Sequence, residues 1–218
     1  MNCQKTSSDS CSPVAVESAE LPAVRSGYYA LLARGFSHPD QGVVEFFHQA
    51  NQEQIDDQGP IAQALRALLK AACDTAPDEM QRAHMQIFDP VAGPFPYETE
   101  HRKGHEFAKA QIMADVMGFY RAFGVEPSDD RPDCIAAELE FMHLLTLKES
   151  YALTRGQPDK AELCRKAQQD FLREHLLAWD RTLLKVIRAK LGTDSLVFYP
   201  HLLRVFQLFM ESERENLA

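Results

Sequence analysis

The densest cluster of groups able to do chemistry is Tyr97-Glu98-Thr99-Glu100-His101-Arg102-Lys103-Gly104-His105-Glu106. His101 and His105 are four residues apart, the spacing at which two side chains share one face of a helix, and Glu98 lies one turn earlier. Two imidazoles and a carboxylate are a ligand set for a zinc-like cation. A zincin also needs a glutamate directly after the first histidine as general base, and Arg102 stands there instead. Gly104 and the cations Arg102 and Lys103 disfavour both the helix and the metal. A small helical metal- or ligand-binding enzyme using His101, His105 and Glu98 is therefore the alternative reading of this chain and not the leading one.

The second polar group is Arg131-Pro132-Asp133-Cys134 followed by Glu138 and Glu140. On a helix, residues two apart point roughly 200° away from each other, so Glu138 and Glu140 cannot act as a carboxylate pair. Asp133, or Asp130 before it, is placed to cap the helix that follows, and a role toward a ligand would require Asp133 to be exposed. No GxSxG, Walker loop or GxGxxG occurs, so nucleophilic or nucleotide-dependent catalysis has no motif behind it. The five cysteines, Cys3, Cys11, Cys73, Cys134 and Cys164, are odd in number and form no CxxC pair, which argues for thiols in a reducing compartment over a zinc ribbon or a redox site.

The elements that must position these groups read as helices throughout. Apolar residues recur at helical spacing over Leu21–Phe36, Val43–Ala50, Ile61–Leu69 and a segment ending at Ile87-Phe88 that Thr75 or Asp78 would cap. Ile112, Val116, Phe119 and Phe123, widened by Met113, Met117 and Tyr120, predict a central and largely buried helix closed by Gly124. Further helices are expected from Ile135 to Gly156, from a capping box at Asp159 and Glu162 towards Trp179, over Leu183–Leu191, and around Leu202–Phe209, with Pro200 in the first turn. Residues 89–97 hold three prolines and one glycine and must form an extended loop. The expected architecture is a single all-α bundle of about nine or more helices over residues 21–218, with a flexible tail over 1–20 and a hinge loop near 89–101.

The chain of 218 residues carries 23 Lys+Arg against 32 Asp+Glu, a formal charge of −9. That acidic balance disfavours nucleic acid as a partner, since phosphate contacts need cations. No run of about eighteen apolar residues is present to insert in a membrane, and the N-terminal stretch lacks the apolar core of a secretory signal, so a cytoplasmic location is expected.

Taken together, the two polar loops resemble a known family. Gln86-Ile87-Phe88, Gly93-Pro94 and Pro96-Tyr97-Glu98-Thr99-Glu100-His101 are similar to the "LF…GP…PYES-Y" region of the TorD/DmsD/NarJ chaperones, the redox-enzyme maturation proteins. Glu126-Pro127 with Arg131-Pro132-Asp133-Cys134-Ile135-Ala136-Ala137-Glu138-Leu139-Glu140-Phe141-Met142 resembles their "E…PDHI..ELEFM" signature, and Phe171-Leu172-Arg173-Glu174-His175-Leu176-Leu177-Ala178-Trp179 their "F...HL.PW" segment. Two departures are evident: Cys134 stands where the family has histidine, and Ala178 where it has proline. The resemblance implies a chaperone and not an enzyme, without a cofactor of its own, as a monomer or domain-swapped dimer. Its partners would be the twin-arginine leader and the apo catalytic subunit of a molybdopterin oxidoreductase. Because a leader joins consecutive arginines to an apolar stretch, its receptor needs carboxylates beside an apolar groove. Tyr97, Glu98, Asp133, Cys134 and Glu138 are the peptide-binding residues expected on this basis, with Glu100, Asp129 and Asp130 adding charge.

Overall fold

The computed structural model describes residues 13–88, 91, 93–102, 104, 106–127, 131–191 and 197–217, with side chains from residue 19 onward. Its elements are α1 (Pro13–Phe36), α2 (Gln41–Ala50), α3 (Pro60–Asp74), α4 (Pro77–Ile87), the single turn α5 (Glu98–His101), α6 (Glu106–Ala122), α7 (Ile135–Thr154), α8 (Pro158–Phe171), a π-helical turn (Leu172–Leu176), α9 (Leu177–Lys190) and α10 (Phe198–Asn216). The bundle is all-α, as the sequence pattern requires. Among the described residues no helix is long and apolar enough to cross a membrane.

The long helices α1 and α7 lie along each other and form the spine of the bundle. Around them Tyr29, Phe47, Phe171, Trp179, Phe198, Tyr199 and Phe206 are fully buried, many in edge-to-face pairs such as Phe36 with Phe206 and Phe47 with Phe198. A polar seam crosses this core. Arg25 grips both oxygens of Glu213, Tyr29 donates to the same carboxylate, and Gln168 relays from Arg25 to Glu149, which Arg165 neutralises. Burial alone would weaken the Arg25 cation, yet the Glu213 contact raises its pKa further above its ordinary value.

Helix α1 starts at Pro13, ahead of the Leu21 that periodicity suggests, and runs through Pro22. Proline ordinarily ends such a pattern because it removes a backbone donor. Here the turn before it is docked on α7: Ala19 is buried, and its carbonyl accepts from Ser150 Oγ at 2.9 Å. Gly124 and Gly156 close α6 and α7 at φ of 72° and 63°, left-handed values that favour glycine. Helix caps depart from expectation. Ala76, and neither Thr75 nor Asp78, precedes α4, and Gln157, not Asp159, precedes α8; in both, proline at the first helical position replaces a side-chain cap.

The largest departure concerns α6. It buries only Val116 and Tyr120, while Ile112, Met113 and Met117 stay partly exposed, so it is a peripheral helix. Periodicity shows that a helix has an apolar face, but not whether other elements are available to cover it.

Candidate functional site

The two polar loops are fastened to each other by a short antiparallel bridge between Tyr97 and Cys134. Glu98 N–H donates to the Asp133 carbonyl at 2.8 Å, and Ile135 N–H donates to the Pro96 carbonyl at 2.9 Å. This pins the end of the 89–101 loop, the expected hinge, against the start of α7; residues 89, 90 and 92 lie outside the described set.

Asp133 does not cap α7, whose N-cap is Cys134. Its fully buried carboxylate instead accepts from Thr99 Oγ1 (2.6 Å) and Thr99 N–H (3.1 Å), and pairs with Arg131 Nε at 3.0 Å. Arg131 in turn lies over the Tyr97 ring, 3.9 Å from its centroid. Burial pushes the Asp133 pKa up, but the hydrogen bonds from Arg131 and Thr99 outweigh it and hold the group ionised, below the usual aspartate value.

Behind this pair lies a second, deeper set. Glu98 and Glu138 are both inaccessible to solvent. Glu98 binds Arg102 through one oxygen and His175 Nδ1 through the other at 2.9 Å. Glu138 Oε2 accepts from Trp179 Nε1 at 3.1 Å, while its Oε1 has no hydrogen-bond partner among the described residues. Burial first, and then the charge of Glu98, drive the Glu138 pKa well above the ordinary glutamate value. Protonation of Glu138 removes the repulsion between the two buried carboxylates. The π-helical turn places His175 and Trp179 on the inner side together, so the third signature segment closes the same network.

The alternative metal reading rests on His101, Glu98 and His105, of which the first two are engaged elsewhere. The α5 turn ends at His101, and Arg102 is extended. His101 stacks on Trp179 with ring centroids 5.3 Å apart, its Nε2–H donates to the Phe95 carbonyl at 2.6 Å, and burial lowers its pKa. Glu98 is occupied as described, and His105 lies outside the described residues.

Of the residues expected to line a groove, only Cys134 and Tyr97 are accessible in part; Glu98, Asp133 and Glu138 are buried. They hold the loops together and present no carboxylate to solvent. Asp129 and Asp130 lie outside the described residues. The open surface is instead a cleft of about 440 Å³ over α7. Tyr120, Val125, Pro127, Ala136, Phe141 and Leu144 line it, with Cys134 and Arg131 inside and Glu126 and Glu140 at its exposed rim. Burial raises the Cys134 thiol pKa. Glu140 reaches this rim because it lies across the helix from buried Glu138. Two more clefts, of about 470 and 680 Å³, continue around α6 and share Glu126, Pro127 and Ala114 with their neighbours.

An all-helical TorD-like bundle whose three signature segments close on one buried polar network defines the class of redox-enzyme maturation chaperones. Within that class the chain belongs to the nitrate reductase delta subunit family, whose profile matches residues 54–184. It is 26% identical to a perchlorate reductase assembly chaperone protein of Dechloromonas aromatica (strain RCB), over 93% of each chain. It is 30% identical to a selenate reductase assembly chaperone protein of Thauera selenatis, over 72% of each chain. A chlorate reductase assembly chaperone protein of Ideonella dechloratans is 29% identical over the same share.

Proposed function

We propose that this protein is a cytoplasmic chaperone, not an enzyme, that binds the twin-arginine leader and the apo catalytic subunit of a molybdopterin oxidoreductase, assists insertion of the molybdenum cofactor and holds back export until it is complete. The observation that carries this reading is the cleft over α7, apolar on the floor with Glu126 and Glu140 at its rim, which adjoins a second cleft at α6 through Glu126 and Pro127. Exposed Glu126 and Glu140 would meet the leader arginines, and the apolar stretch would lie over Val125, Pro127, Phe141 and Leu144.

The expected peptide-binding residues divide by role in this reading. Cys134 touches the leader directly. Tyr97 and Asp133 hold and neutralise Arg131, whose unpaired cation in the cleft would otherwise repel the arginines. Glu98 and Glu138 keep the two loops in register from below.

Calorimetry with a synthetic twin-arginine leader peptide of a molybdopterin reductase tests this. Glu126→Lys combined with Glu140→Lys should weaken binding at least about tenfold, as two reversed contacts to arginine cost more than about 1.4 kcal/mol together. A leader with both arginines replaced by glutamine should lose the difference between native and variant protein. Equal affinity of native and variant chaperone for the native leader would refute the site.

A further inference from the structure

A second set of groups converges on the largest of the three clefts, where no signature residue was expected to act on a ligand. Asp115 of α6 and Glu174 and His175 of the π-helical turn bring one carboxylate oxygen each and one imidazole nitrogen within 4.8 Å of one another. The imidazole is decisive. His175 is 1% exposed, and its Nδ1 donates to Glu98 at 2.9 Å, which leaves Nε2 as the ring nitrogen on the side of the cleft. That Nε2 has no hydrogen-bond partner among the described residues, although Asp115 Oδ2 lies only 3.3 Å away, off the line a hydrogen bond requires. A buried ring nitrogen left without a partner is costly, and a cation held between it and the carboxylate would satisfy both.

We propose that His175 Nε2, Asp115 and Glu174 bind a divalent transition-metal cation of the zinc type. A tetrahedral ion with bonds of about 2.0–2.1 Å separates neighbouring ligand atoms by about 3.3 Å, which is the separation of His175 Nε2 from Asp115 Oδ2. Glu98 behind His175 completes the carboxylate–histidine–metal arrangement that fixes the tautomer and raises ligand basicity. Both carboxylates are exposed and close on the ion without moving buried groups. The cations lining the cleft are turned to other work: Arg102 binds Glu98 and the Glu174 carbonyl, and Arg173 pairs with Asp170. Three protein ligands leave a fourth position open to water or to a donor atom from a client. Because Asp115 is on the loosely held α6 and the other two are on the bundle, the ion fastens that helix in place.

The test is titration of chelator-treated full-length protein with Co2+, read by its visible absorption, and with Zn2+ by competition. One equivalent should bind, Asp115→Asn and Glu174→Gln should each weaken binding at least about tenfold, and the pair of replacements should abolish it. Both side chains are exposed, so these variants keep the fold, which the fluorescence of the lone Trp179 verifies. Absence of saturable binding overturns the proposal, as does a double variant with unchanged affinity, since that metal would then belong to other histidines or cysteines.

Discussion

Replacing Glu138 with glutamine separates a protonated from an ionised carboxyl at the centre of the network. In the folded protein Glu138 Oε2 accepts from Trp179, Oε1 has no partner among the described residues, and the charge of Glu98 lies close by, surroundings that favour the neutral acid over the carboxylate. Glutamine reproduces the neutral acid, with its carbonyl toward Trp179, so at pH 5 Glu138→Gln should change stability by no more than about 1 kcal/mol. The pH dependence carries the sharper information. The folded-state pKa of Glu138 is raised above its unfolded value, so its contribution is complete below about pH 4.5 and is lost as pH rises towards the folded value. Glutamine does not titrate, and the variant should therefore gain on the native protein between pH 5 and pH 8. Two neighbours calibrate the scale. Glu138→Ala leaves the buried Trp179 N–H without an acceptor and opens a void, costing about 3 kcal/mol at pH 5 and less at pH 8, because alanine, like glutamine, does not titrate. Glu98→Gln strips Arg102 and His175 of their anion. Because Arg102 is 33% exposed, the cost is about 2–3 kcal/mol, below that of a fully buried pair. Urea unfolding followed by the fluorescence of Trp179, the single tryptophan of the chain, measures all three. If native protein and Glu138→Gln keep a constant difference from pH 5 to pH 8, Glu138 is ionised in the fold and the reasoning fails.

Other expectations follow from groups elsewhere in the bundle. Glu213→Ala should destabilise by about 3–5 kcal/mol in denaturant titration, since it leaves the mostly buried Arg25 guanidinium and the Tyr29 hydroxyl facing an uncharged cavity. His84, whose Nδ1 accepts from the Tyr199 hydroxyl at 2.9 Å, has its pKa lowered from 6.5 to about 4 by burial and by nearby His38. Its protonation is therefore easier unfolded than folded; stability is full above pH 6.5 and should fall by about 3 kcal/mol as pH drops towards 4, a slope that His84→Gln flattens in acid-unfolding curves. Cys134, with its thiol pKa raised by burial, should react with iodoacetamide at pH 8 several-fold more slowly than a free thiol, and bound leader peptide should slow it further; mass spectrometry reads both, and an unprotected Cys134 would contradict its place in the leader cleft.

The helical character of the chain was legible because a 3.6-residue apolar period is imposed by each helix on its own sequence. Val43–Ala50, the helix opened by Ile135 and the glycine stops at 124 and 156 needed nothing beyond local rules. The opposite placement of Glu138 and Glu140 was equally local, being a matter of helical rotation, and the family could be recognised because three short segments stand in a set order. What those segments do to one another was not local. That Asp133 turns from its own helix to Thr99, that Glu98 meets Glu138 and His175 across 40 and 77 positions of chain, and that His101 is spent on Trp179 depend on which surfaces meet. An acidic residue looks the same in sequence whether it greets an arginine from outside or neutralises one within. Only packing decided that three expected contact carboxylates are buried supports, that α6 lies at the edge with clefts on either side, and that Asp115 comes beside the free nitrogen of His175. Burial and proximity are properties of chain segments brought together, and no spacing within one segment encodes them.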